Sequence, residues 1–361
     1  MTSPRKVELR RILITKFRHH GDVLLTSPLF SILRQRYPDA QIDALVFADT
    51  AEMLSLHPAI DQLYTVDKKW KKLGAFGHLA KEWALLKTLR AQRYDAIIHL
   101  TESMRGLWIA RLAGIPLGVT FRNSARDKLS FWKKTFQYRV PRIPRRHTVE
   151  SHLDTLRVLG IQPEPEARRL QLIAGEEADQ AVDQKLRAQQ WQGQPFIVVH
   201  PTSRWLFKCW KSSSMAEAIN TLCERGHTIV LSASPAESEM AMIADIKSRL
   251  THPVLDLAGQ LTLKQLASLI GKAQLLLGVD SVPMHIASAM QTPVVALFGP
   301  SGETEWAPWM TVNRVIVSDR HPCRPCGKDG CGGSKVSDCL QQISVQQVLL
   351  AVDSALLEAQ G

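Results

Sequence analysis

Residues 275–301 read LLLGVDSVPMHIASAMQTPVVALFGPS, and the fold follows from how they are parsed. LLLGVD (275–280) is an apolar run of strand length that ends on Asp280. Ser281 can cap a following helix, and Pro283 suits its first turn, where a missing N–H costs nothing. TPVVALFGPS (292–301) is a second apolar strand. Strand, helix and strand in that order make a βαβ unit, the building block of a parallel sheet.

Outward from this stretch the same rhythm fills the chain. Towards the N-terminus, FIVVHP (196–201) and HTIVLSAS (227–234) read as strands separated by helical segments. The first half repeats the pattern with ILIT (12–15), IDALVF (42–47), YDAIIHL (94–100) and LGVTF (117–121). Its helices are expected near Ser27–Tyr37 and over residues 81–92, and a last helix near Val345–Ala359. The expected fold class is α/β, with two Rossmann-like lobes whose parallel sheets face a central cleft. Residues 1–175 form the N-terminal lobe, 176–344 the C-terminal lobe, and 345–361 a helix that can pack back across the join near 172–190. In open sheets of this kind a ligand sits beyond the carboxyl ends of the strands. That puts Lys16–Leu25, His200–Lys208 and Gly278–His285 where chemistry is expected.

Length and charge fit this reading. At 361 residues the chain suits two domains. Its net charge of +11 favours anionic partners. No apolar run reaches the ~18–20 residues that span a bilayer. The basic start MTSPRKVELRRILI lacks the long apolar segment and cleavage site of a secretory signal, so a cytoplasmic location is expected. Six cysteines in a chain this long do not make a disulfide scaffold.

Three motifs carry candidate chemistry. In KFRHHGDVLLTSP (16–28), directly after a strand, Gly21 permits a tight turn and Asp22 lies near a helix start. Asp22 is either a helix cap or a carboxylate presented to a ligand. No Gly-x-Gly-x-x-Gly and no Walker A lysine motif occurs, which disfavours a dinucleotide dehydrogenase and a P-loop NTPase. In HPTSRWLFKCW (200–210), Thr202, Ser203 and Lys208 supply the hydroxyls and the point charge that suit a diphosphate. In GVDSVPMHIASAMQTPVVALFGPSGETEWAPW (278–309), Asp280, Ser281 and His285 surround a helix N-terminus, where free N–H groups and the helix dipole favour an anion.

Together these residues resemble the ADP-heptose:lipopolysaccharide heptosyltransferases, inverting enzymes of the GT-B fold, and most of all the heptosyltransferase III branch. The resemblance spans essentially the whole chain. It rests on G-D-V-L-x-T-x-P (21–28), H-x-T-[ST]-R…K-x-W (200–210) and G-V-D-S…H…P-x-x-A-L-F-G-P (278–300). It implies that Asp22 is the general base and that Thr202, Ser203 and Lys208 contact the donor diphosphate. Asp280, Ser281 and His285 are implied around the phosphates and heptose, the backbone at Leu261 beside adenine, and Glu237 or Glu239 at the ribose. The chain departs from the family in two places. Val282 stands where the family often has glycine, and Trp205, Leu206 and Phe207 separate Arg204 from Lys208.

Inversion requires one base and a stabilised leaving group. No D-x-D sits at a strand end, so no metal and no cofactor are expected. The expected partners are ADP-heptose, an anionic lipopolysaccharide core acceptor and the cytoplasmic face of the inner membrane, with no nucleic acid. Residues 105–147 carry 11 Lys or Arg and one acid, Asp127. Arg142, Arg145 and Arg146 are therefore candidates for holding the acceptor, with Phe121, Phe131, Trp132, Phe136 and Tyr138 as core or interfacial anchors. Heptosyltransferase I or II, or transfer of another sugar, is the neighbouring alternative. A basic nucleic-acid-binding Rossmann protein is the alternative of a different class. Cys323, Cys326, Cys331 and Cys339 have a spacing open to zinc, to an iron–sulfur cluster or to a structural role.

Overall fold

Every strand pairing among the described residues is parallel. The structure is a computed structural model that describes residues 8–360, so the first half of the basic N-terminal start (1–7) lies outside the described residues. The chain divides after Gln171 into two units. The first holds β1 (Arg11–Lys16), β2 (Gln41–Phe47), β3 (Gln62–Val66), β4 (Ala96–His99), β5 (Leu117–Phe121) and β6 (Tyr138–Val140), in the order β3-β2-β1-β4-β5-β6. The second holds β7 (Phe196–His200), β8 (Thr228–Leu231), β9 (Leu255–Asp256), β10 (Leu275–Val279), β11 (Val294–Phe298) and β12 (Asn313–Val317), in the order β12-β11-β10-β7-β8-β9. Numbered within its own unit, each sheet is the same 3-2-1-4-5-6 arrangement, a doubly wound Rossmann sheet.

The central strands are buried along their length, as in β10 and β11, because helices cover both faces of a parallel sheet. In the first unit Leu13, Leu45 and Ile97 pack with Leu107, Trp132 and Phe136. Three of the aromatics interleaved in the basic stretch (Phe121, Trp132 and Phe136) are therefore core residues. In the second unit Ile197, Leu277 and Val295 pack with Ile219 of helix Ser212–Glu224 and Val348 and Val352 of the C-terminal helix Val345–Gln360. That last helix lies on helix Ser212–Glu224 and on β10, β11 and β12. Most of the expected join, 172–190, is helix Glu176–Ala188, which packs on helix Leu263–Gly271 and accepts a hydrogen bond at Asp179 from Ser268 (2.5 Å).

Register fixes what emerges at each switch point, where the strand order reverses. Thr15 of β1 lies opposite His99 of β4, so Lys16 comes out beside Leu100. His200 of β7 lies opposite Gly278 of β10, so Thr202 and Asp280 leave neighbouring strand ends together. A Cβ on Gly278 would stand 3.0 Å from the His200 carbonyl oxygen, so that strand contact needs glycine.

Candidate functional site

The switch point of the second unit gathers most of the residues singled out from sequence. Lys208, closing a short 3₁₀ turn at Leu206–Lys208, donates from Nζ to Asp280 Oδ2 at 2.6 Å. The ammonium also lies 5.2 Å from the centroid of the Trp205 ring. Both members of the pair are largely shielded, so each holds the other in place and the Lys208 charge is not free to swing. Thr202 is buried and donates from Oγ1 to Glu239 Oε2 at 2.7 Å, while Ser234 donates to the other carboxylate oxygen at 2.5 Å. Ser203 is buried beside Thr202. His200 ends β7 with Nδ1 3.0 Å from Ser232 Oγ, and burial brings its pKa down to about 4, so the ring is neutral at physiological pH.

Helix Val282–Met290 begins immediately after Asp280. Ser281 is its N-cap residue, but the hydroxyl contacts Val279 O at 3.3 Å instead of a first-turn N–H. The first turn is thus not closed by its own cap side chain. His285 sits buried in this turn, whose first residue is Val282. Of the two glutamates proposed for a ribose, Glu237 is exposed in the first turn of helix Glu237–Lys247, whereas Glu239 is buried and tied to Thr202. Leu261 is half-buried on the loop before the capping box Thr262–Gln265 that starts helix Leu263–Gly271.

The first unit places Asp22 in the opening turn of helix His20–Leu24. The strand-to-helix turn itself is made by residues 17–19, and Gly21 is a buried helical residue without positive φ. Beside Asp22 stands a residue the sequence reading passed over. Lys16 is the last residue of β1, buried, with Nζ 3.6 Å from Asp22 Oδ1, 3.1 Å from His152 Nε2 and 3.3 Å from Leu100 O. His152 donates from Nδ1 to Leu25 O at 3.0 Å, which leaves Nε2 as the acceptor for the ammonium. Burial, reinforced by the Lys16 charge, keeps the His152 pKa well below 6.5. Burial also brings Lys16 down to about 8, against the pull of Asp22 towards the charged form. A lysine at the buried end of the strand RILITK was the available signal, because a charge at a strand's carboxyl end is costly unless it has partners.

The basic stretch acquires counter-charges from elsewhere in the fold. Arg142 is bound to Glu102 Oε1 at 2.8 Å from Nε and lies 4.3 Å from the Phe121 ring. Arg105 meets Glu82 at 2.5 Å. Arg146 bonds Asp154 at 2.9 Å within a network that also takes in Glu150, Arg157 and Arg168. Arg145 is exposed with a left-handed φ of 56°. Cys323, Cys326 and Cys331 are exposed and Cys339 is buried. Among the described residues no three His, Cys, Asp or Glu side chains are grouped to hold a metal ion.

Each switch point thus presents a carboxylate beside a shielded lysine, and the second adds buried hydroxyls and a helix N-terminus. The first constellation can accept a proton from a hydroxyl, and the second can receive a diphosphate. Comparison with known proteins gives the same direction. The profile of glycosyltransferase family 9 (heptosyltransferase) matches residues 82–336. Lipopolysaccharide heptosyltransferase 3 of Escherichia coli is 36% identical over 303 residues, 81% of this chain and 84% of that protein. A glycosyl transferase family 9 structure from Veillonella parvula superposes with a TM-score of 0.82 at 22% identity, covering 98% of this chain and all of that one. An E. coli heptosyltransferase solved with ADP superposes at 0.71 with 18% identity, covering 96% and 99%. The architecture is GT-B, as expected from the sequence.

Proposed function

The chain belongs to glycosyltransferase family 9, the heptosyltransferases, and from that premise we propose that it transfers L-glycero-D-manno-heptose from ADP-heptose to a heptose of the lipopolysaccharide inner core. The observation that carries the donor half is the Lys208–Asp280 pair at the second switch point, flanked by Thr202, Ser203 and the helix that starts at Val282. Thr202, Ser203 and Lys208 bind the diphosphate, and Asp280, Ser281 and His285 line the phosphates and heptose. The Leu261 backbone lies beside adenine. The ribose falls to the first turn of helix Glu237–Lys247, where Glu237 reaches solvent and Glu239 holds Thr202 in place.

Asp22 acts as the base. Its carboxylate takes the proton of the acceptor hydroxyl, whose oxygen attacks the anomeric carbon from the face opposite the diphosphate. The bond from that carbon to the diphosphate oxygen breaks, ADP carries away the electron pair, and the configuration inverts. Lys208 stabilises the charge that grows on the leaving group. Lys16 orients Asp22 and balances its charge before the proton arrives. The acceptor is an anionic glycolipid at the cytoplasmic face of the inner membrane, met by Arg142 and Arg145, with Arg146 bracing the segment behind them.

Incubating the protein with ADP-heptose and a graded set of truncated core acceptors, followed by mass spectrometry, tests this reading. Gain of one heptosyl unit on a heptose-bearing core supports it. Transfer only to a heptose-free acceptor, or only from another nucleotide sugar, would replace it.

A further inference from the structure

Helix Gly74–Ala91 carries apolar residues on two adjoining faces, and only one of them is covered. Leu85, Leu86 and Leu89 face the core of the first unit, and Glu82 on that side pairs with Arg105. Phe76, Leu79 and Trp83 recur at the spacing of a single helix face and are 91%, 66% and 62% exposed. Leu73, just before the helix, is 53% exposed. A surface helix in water ordinarily turns polar residues outward, so a second apolar face implies a second apolar environment. The neighbouring helix Met104–Leu112, tied on through Arg105, has half-exposed apolar residues of its own in Trp108 and Leu112. Directly before the apolar face comes the turn Lys68–Leu73, reading KKWKKL. Lys69, Lys71 and Lys72 are exposed, and no acid occurs between Lys68 and Lys81.

We propose that this face is a docking surface for an anionic phospholipid bilayer, with Phe76, Leu79 and Trp83 seated among the acyl-chain boundary and the lysine turn among the headgroups. Charge decides between a membrane and a second copy of the chain. A two-fold contact through this patch would bring one lysine turn towards the other, in a protein already at +11. An anionic leaflet instead attracts each lysine near its surface. The tryptophan at the patch, Trp83, suits the water–hydrocarbon boundary, where the ring is buried and the N–H stays wet. The surface lies in the unit that carries Asp22, so docking would leave the proposed base close to a lipid-borne acceptor. The proposal rests on the membrane-associated part of the function above and not on the identity of the sugar.

The test is co-sedimentation of the full chain with vesicles of phosphatidylglycerol and phosphatidylethanolamine, against vesicles of phosphatidylcholine alone. The parent should bind the anionic vesicles and bind the neutral ones at least about tenfold more weakly. The variant Phe76→Ser, Leu79→Ser, Trp83→Ser should lose vesicle binding while transferring to a delipidated core oligosaccharide at the parent rate. A second variant, Lys69→Gln, Lys71→Gln, Lys72→Gln, should bind anionic vesicles on the order of a hundredfold more weakly and show a flatter salt dependence. Parent-like vesicle binding by both variants overturns the proposal. So does a parent that elutes as a dimer and becomes monomeric when the serines are introduced. Vesicle binding is read without any sugar donor, so failure of the heptose assignment leaves this outcome legible.

Discussion

Asp22 and Lys16 stand 3.6 Å apart, and the pair sets two expectations. Asp22→Asn keeps the shape and removes the proton acceptor, so kcat should fall by about 10²-fold or more while ADP binding is unchanged. Parent-like turnover would take Asp22 out of the mechanism. Lys16, brought down to about 8 by burial, carries its charge below that pH and loses it above. Asp22 opposes the loss of the proton, as do His152 Nε2 and Leu100 O by accepting from the ammonium, whereas burial and the charges of Arg142 and Arg18 favour it. The rate should therefore decline as pH rises through about 8, and Lys16→Met should be slower and lack that basic limb. The stability effect has the opposite sign. The unfolded lysine, near 10.5, binds more protons between about 8 and 10.5, so the Lys16 contribution to stability improves with rising pH across that window. A Lys16→Met pH profile that keeps the limb would assign it to another group. At the other switch point, Lys208→Ala should weaken ADP binding and slow the reaction together. It leaves Asp280 facing a diphosphate without its cation, so Lys208→Ala with Asp280→Asn should recover part of the ADP affinity in a calorimetric titration. Additive losses would show that the two do not act as a pair.

The segment 105–147 shows how an element changes meaning once it is folded. In sequence its charges are nearly all basic, yet Glu82, Glu102, Glu150 and Asp154 supply counter-charges from outside it. Arg146 belongs to an ion-pair network, and its neutralisation should lower Tm by a few degrees without altering acceptor kinetics. Of Arg142, Arg145 and Arg146, the first two are exposed. Arg142→Gln with Arg145→Gln should raise acceptor KM and flatten its salt dependence, with ADP affinity untouched, because such attraction is screened over ~8 Å at physiological salt. Equal acceptor kinetics for parent and variant at low and high salt would leave these arginines as solvated surface.

At the scale of the whole molecule the two units repeat one sheet order, and the second brings together a lysine and a helix N-terminus, groups suited to a diphosphate. Lys208 and the first turn of helix Val282–Met290 occupy the place beside Asp280. Transfer by this family 9 enzyme should persist in excess chelator, measured as product formed per minute before and after EDTA. A strict requirement for added Mg²⁺ or Mn²⁺ would mean that the phosphates are held differently.

The sequence by itself determined the eight interior strands, because a strand buried on both faces must be apolar throughout, as LLLGV and VVALF are. It did not disclose β3, β6, β9 and β12. All four are sheet edges, shorter or only partly buried, and neither QLYTV nor NRVIV is apolar throughout. The local motifs at 16–28, 200–210 and 278–300 were equally legible, since each begins at a strand end and runs into the turn that follows it. What tertiary structure alone decided are the pairings across long separations. Lys208 reaches Asp280 because β7 and β10 are neighbours, Thr202 selects Glu239 over Glu237, and Lys16 gains His152. A side chain's chemistry is local, but its charge balance depends on which distant residues the sheet order brings within a few ångströms, and no linear pattern records that.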